Sequence, residues 1–239
     1  MTPEEVQARL NAWAEAQRWT TTAALQVDCH LLAPAAISGY LCLDGLLAWA
    51  VWQTALGPDG ANVPTNNGVI YEIPLPLAQV GSVWAASAAL YPAGRAERVT
   101  RYRRRWPDDP YTEQWAQLPK KLITFGFDFK DKDLPVPLTV TSLVRWYARG
   151  DKAAVEQLLQ LVTHLGKRHA AGTGRIGRWE VTEIEEDRSI WWDGRLMRPV
   201  PIEEVDANHG RYDVGFESFR PPYWHRGRYV ECAVPPAAG

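Results

Sequence analysis

The sequence predicts an α+β fold of the ferredoxin-like kind, and three observations carry the prediction. Apolar residues alternate at Leu25, Val27, Cys29 and Leu31, the two-residue period of a half-buried strand. The stripe Val155, Leu158, Leu159, Val162 and Leu165 follows the helical period. Strands flank each central helix, so the order reads strand, helix, strands, insertion, strand, helix, strand. The chain has 239 residues, 46% hydrophobic and 23% charged, which suits a soluble protein of one large domain or two small ones with a real core.

A helix opens the chain. Thr2 is placed to cap it, Pro3 fits the first turn, Glu5 completes a capping box, and Val6, Leu10 and Trp13 share a face. We set this helix, residues 1–20, apart from a domain over 21–239. After the first strand, Asp44 is expected to cap a helix over "GLLAWAVWQTAL", ended by the turn-rich "GPDGANVPTNNG". "VIYEIPL" and "VWAASAALY" are expected as strands. Residues 92–137 lack core periodicity and hold an arginine run, "WPDDPYTEQW" and a Phe-alternating stretch, so they read as an insertion or protruding hairpin. "LTVTSLVRWYARG" resumes as a strand, and Asp151 caps a helix over "KAAVEQLLQLVTHL" that Gly166 would terminate as its C′ residue. "RWEVTEIEED" is the last strand, and Trp191-Trp192-Asp193-Gly194 marks a hairpin turn.

The three cysteines, Cys29, Cys42 and Cys232, are dispersed and form no C-x-x-C pair, which argues against zinc and disulfides. The first ten residues are acidic and amphipathic and no run reaches membrane-spanning length, so a cytoplasmic protein without a membrane role is expected. The net charge of -2 hides segregation. "RAERVTRYRRR" sets six arginines, Arg101, Arg103, Arg104 and Arg105 among them, against Glu97, and Leu161–Trp179 holds no acid. A third basic cluster is Arg220, Arg226 and Arg228. Local charge sets the field a polyanion meets.

"GKRHAAGTGRIGRWEV" carries G-x-G-x-x-G at Gly172, Gly174 and Gly177. A dinucleotide site needs a strand before the glycines and a helix after them, and here the order is reversed. With no Walker A sequence either, no cofactor is expected. What remains is a loop whose glycines let backbone approach an anion and whose Lys167, Arg168, Arg175 and Arg178 supply charge.

A helix followed by this loop resembles the glycine-rich loop of the RAMP superfamily, the RNA-binding subunits of CRISPR effector complexes. "LDGLLAWAV" is similar to a first helix of such proteins, and "VRWYARGD" with its leucine-rich helix matches the approach to the loop. The ordered set, from Ala24 to Val181, is most similar to the type IV (Csf) subunit that caps the 5′ handle of the guide RNA; the N-terminal helix departs from the pattern. The resemblance implies a ferredoxin-like or RRM-like core with a thumb-like insertion. It also implies a cytoplasmic ribonucleoprotein for antiviral or anti-plasmid defence, with guide RNA, backbone and large subunits as partners and target DNA met through the complex.

On that reading, Lys167, Arg168, His169, Gly172, Gly174, Arg175 and Arg178 hold RNA at the loop. Arg101, Arg103, Arg104, Arg105, Trp106, Tyr111 and Lys130 hold it along the insertion, arginines on phosphate and rings on unpaired bases. No catalytic residue is expected. The alternative is a metal-independent endoribonuclease with His169 as general base and Lys167 stabilising charge. His30 and His164 are expected as a sheet and a helix-end histidine, and the five histidines show no metal-ligand spacing.

Overall fold

In a computed structural model the described residues are 1–20, 22–63, 68–104, 132–206 and 210–236. Helix α1 spans Pro3–Gln17, and its capping box forms as expected: the Glu5 amide donates to Thr2 Oγ1 and the Thr2 amide to the Glu5 carboxylate. Its face of Val6 and Leu10 is fully buried on α2 (Leu43–Leu56). Each such burial contributes roughly 1.5–3 kcal/mol.

The central sheet is antiparallel, with β1 (Ala23–Leu31) between β6 (Leu143–Gly150) and β7 (Ile176–Ile184). Leu25, Val27 and Cys29 of β1, with Val144 and Trp146 of β6, meet Leu43, Leu47 and Val51 of α2 and Val155 and Leu159 of α3 (Lys152–Leu159). Trp146 donates its indole N–H to the Leu41 carbonyl at 2.8 Å, satisfying the one polar atom this large core side chain carries. The α+β class stands.

Several local expectations are corrected. Residues 69–75 form no strand, and "VWAASAALY" is regular only at β3 (Val83–Trp84), paired with β2 (Gln79–Val80). The stretch instead runs along the free edge of β6 through single bridges, Leu77 to Gly150, Ala86 to Ala148 and Leu90 to Arg145. "LTVTSLVRWYARG" divides between β6 and β5 (Lys132–Val140), and β5 pairs with β4 (Ala96–Arg104) as a two-stranded ribbon. The Phe-alternating stretch lies outside the described residues.

The second helix is preceded by Cys42, without a side-chain cap, and Asp44 sits inside its first turn, fully buried. Asp44 accepts from Arg198 at 3.1 Å and from Tyr223 at 2.6 Å. Arg198, also fully buried, further donates to the carbonyls of Trp84, Ala86 and Phe219. Burial and the adjacent Asp44 carboxylate push the Tyr223 hydroxyl well above its ordinary range, so it remains a donor.

Beyond the central sheet, β8 (Trp191–Trp192) and β9 (Arg195–Leu196) close the expected hairpin, with Asp193 and Gly194 both at positive φ. A second antiparallel sheet, β10 (Val200–Pro201), β12 (Tyr229–Val234) and β11 (Asp213–Ser218), follows in that spatial order.

Candidate nucleic-acid interface

Helix α3 ends at Leu159, six residues short of the expected end. Leu161 and Val162 close tight turns on the Leu158 and Leu159 carbonyls. The chain then runs extended, and residues 163–165 pair with 174–176: Ile176 donates to Thr163 at 3.0 Å and Leu165 to Gly174 at 2.8 Å. Val162 and Leu165 stay buried, but as loop residues. Gly166 is therefore no helix cap. At φ +77 it presses on Ala36, whose carbonyl oxygen would stand 2.4 Å from a Cβ.

This pairing folds the glycine loop back on itself and commits its amides. Lys167 N–H donates to Ala36, Ala171 to Arg168, Gly172 to His169 and Gly174 to Pro34, at 2.8–2.9 Å. Gly174 is buried at φ +68, with Leu165 O 1.9 Å from where a Cβ would be. It is a packing glycine, and its amide and that of Gly172 face protein carbonyls, leaving side-chain charge as what these positions set up for an anion.

That charge is on the outside. Lys167, His169 and Arg175 are exposed, and neither Lys167 nor Arg175 forms an ion pair among the described residues. Arg168 occupies the left-handed region at φ 63, which costs a non-glycine residue roughly 1–2 kcal/mol. The turn places its guanidinium 4.1 Å over the ring of Tyr102 on β4. Val136 and Leu138 of β5 bury against Ala36, and Thr139 and Ala35 exchange backbone hydrogen bonds at 2.8 and 3.0 Å. The base of the ribbon and the glycine loop thus share one surface through residues 34–36, two regions far apart in the sequence.

Strand alternation divides the arginine run. Arg98 shares the Tyr102 face, whereas Arg101 and Arg103 lie on the other and bracket Asp133 at 2.9 and 3.6 Å. The hydrogen bond from Arg101 holds the Asp133 carboxyl below the usual carboxylate range. Asp133 is an acid that a local count along the run omits. Arg104 closes β4; Arg105, Trp106, Tyr111 and Lys130 lie outside the described residues.

Arg178 does not join the loop. It lies on the open face of the sheet, 2.9 Å from Glu180, which also meets His30 at 3.2 Å. The C-terminal basic cluster is likewise committed in part, since Arg220 and Arg228 both bind Glu72. A feature not expected from the sequence is on the other side of the loop: a cleft of about 450 Å³ between the loop and α2, lined by Leu46, Trp49, His164, Lys167 and His169. The His164 and His169 rings stand 6.0 Å apart. Local periodicity puts His164 in a helical last turn; its pairing across the loop is a tertiary feature that periodicity does not carry.

Burial pushes the thiols of Cys29, Cys42 and Cys232 up, that of Cys232 to about 11, so none is an available nucleophile at neutral pH. Among the described residues no group of three or more His, Cys, Asp and Glu side chains is arranged to hold a metal ion, and no helix is long and apolar enough to cross a membrane.

Residues 132–235 match the family of CRISPR type IV associated protein Csf3. The matched span starts in β5, includes the glycine loop and continues through the C-terminal sheet. No curated protein matches the chain. The family match supports a type IV CRISPR-associated subunit.

Proposed function

We propose that this type IV CRISPR-associated chain is a non-catalytic RNA-binding subunit of an effector ribonucleoprotein, where it caps the 5′ handle of the guide RNA. The observation that carries the reading is the junction of the glycine loop with the ribbon: Arg168 stands 4.1 Å over the Tyr102 ring, Lys167 and Arg175 are exposed on the loop, and Arg98 shares the Tyr102 face of β4. Cations without carboxylate partners, next to exposed aromatic surface, suit a single strand whose phosphates are neutralised and whose bases stack. The backbone and large subunits are the partners this role requires, and target DNA is met through the assembled complex. The connectivity of β1, α2, the 77–90 edge, β6, α3 and β7 is also what a ferredoxin-like RNA-binding core needs.

Fluorescence anisotropy with single-stranded guide RNA over a salt series tests the reading. Lys167→Ala with Arg168→Ala should weaken binding and lower the slope of log K against log salt by about 0.7 for each phosphate left unneutralised. Unchanged affinity and slope would show that the loop faces away from RNA.

One observation favours a second reading. The His164–His169 pair, with Lys167 beside it, has the composition of a metal-independent ribonuclease site. On the capping reading, purified protein leaves repeat RNA intact with or without chelator; specific cleavage that disappears in His169→Ala would establish the nuclease instead.

A further inference from the structure

We infer that the cleft between α2 and the glycine loop receives one unstacked base of a bound single-stranded RNA, with Trp49 as its stacking wall. The inference rests on the RNA-binding reading above and adds to it a site of a different kind, for a base and not for the backbone.

Its volume, about 450 Å³, lies in the ~300–1,000 Å³ range of small-ligand sites. Leu41 and Leu46 make one side apolar. Trp49 is 49% exposed, although its neighbours Ala48 and Ala50 are buried, so α2 turns a large aromatic surface toward solvent at the rim. The other side is cationic or hydrogen-bonding: Lys167, His164 and His169. His164 Nδ1 is within 3.0 Å of Thr163 Oγ1, which leaves the other ring nitrogen for an external partner.

This combination selects among occupants. An aliphatic side chain from a protein partner would satisfy Leu41 and Leu46 but leave two imidazoles and an ammonium facing it. An inorganic anion would use Lys167 and ignore the indole. A nucleotide matches every wall: its base has a π-face for Trp49, ring nitrogens and exocyclic groups for the imidazoles, and a phosphate for Lys167. Lys167 is both an exposed cation of the loop and part of the cleft lining, so a strand held by that cation needs to turn one base inward. Single-stranded RNA is recognised in this way, with splayed bases taken up by aromatic rings.

The test uses the full chain with short single-stranded RNA and a matching series in which one position at a time is abasic. For the wild type, one abasic position should cost about five- to a hundred-fold in affinity, the usual effect of losing one stacked base. Trp49→Ala should show the same loss on intact RNA and no further loss at that position. The salt slope should be unchanged, because every phosphate keeps its cation. Trp49→Phe should recover most of the affinity. Trp49→Ala binding like the wild type, with no sensitive position, overturns the inference while leaving RNA binding in place. An equal loss on intact and abasic RNA also overturns it, since the indole would then act through the fold. A wild-type chain that binds no RNA overturns the capping reading and this inference together.

Discussion

The open face of the central sheet and the surface formed by the loop and ribbon carry similar residue types but handle charge in opposite ways. On the sheet face, Arg145 forms a two-point pair with Asp28 at 2.7 Å, Arg178 and His30 share Glu180, and Arg149 approaches Asp187 at 3.6 Å. Arg188 stands beside the touching rings of Tyr147 and Trp192, at 5.5 and 4.9 Å from their centres, and also pairs with Glu186 at 2.9 Å. Around the loop, Lys167, Arg175 and Arg98 have no carboxylate partner among the described residues, and Arg168 meets only a ring. Charges that complete each other hold a fold together; cations left without acids remain available to an anion from outside. On the sheet face the charges are paired within the chain, and at the loop they are not.

If that division is right, substitutions should separate by region. The largest loss should come from the fully buried pair: Asp44→Ala leaves Arg198 without its counter-charge and should destabilise the chain by about 3–5 kcal/mol in urea unfolding. A small effect would mean that the carbonyls around Arg198 suffice without the carboxylate. Asp28→Asn removes the charged partner of Arg145 on the sheet face, where a charge-assisted hydrogen-bonded pair contributes about 1.5–3 kcal/mol.

Asp151 sharpens the boundary, because hydrogen bonds alone satisfy it. Burial pushes its carboxyl up, but donation from the Ala154 amide and from the amide and hydroxyl of Thr20 holds it below the usual range. A depressed folded value means that its contribution is complete above the unfolded pKa of about 3.9 and is lost as pH falls through the folded one. The stability difference between wild type and Asp151→Ala should be about 1 kcal/mol at neutral pH, as for the loss of a helix cap, and shrink in acid. A constant difference would show that the cap works without its charge. The smallest effect belongs to Lys167→Ala with Arg168→Ala, which should change stability by no more than about 0.5 kcal/mol while weakening RNA binding. A loss of several kcal/mol would make the loop cations structural and end the comparison.

Features that depend on near neighbours are legible in the sequence. The Thr2–Glu5 capping box, the alternation of β1 and the Asp193-Gly194 turn each involve residues within a few positions, and all three are present. The end of α3 is not legible in this way, because Val162 and Leu165 fit a helical stripe and also fit a buried loop; pairing with residues 174–176 decides between them. Asp44 looks like a cap because its partners, Arg198 and Tyr223, are remote in the chain. The C-terminal sheet escapes a reading by periodicity since β10 is two residues long and "DVGFES" alternates poorly. At the candidate site the loop cations are visible as a run without acids, whereas Trp49 and the Tyr102 contact depend on how α2 and the ribbon are placed.

Arg198 lies 154 positions after Asp44, and Arg228 lies 156 after Glu72. These long reaches set a timetable for biosynthesis. A ribosome adding about 5–20 residues per second needs roughly 8–30 s to supply Arg198 once Asp44 has been made. Until then α2 cannot settle against the sheet without burying an uncompensated carboxylate, and its apolar side remains available to holdase chaperones. Protease resistance of arrested nascent chains should therefore rise only after Arg198 has left the exit tunnel; resistance at shorter lengths would show that the core closes without it. The span that matches the Csf3 family begins at residue 132 and so excludes both Asp44 and Glu72. Cut out alone, it would leave Arg198 and Arg228 without their acids, so it should be less stable than the same span within the full chain.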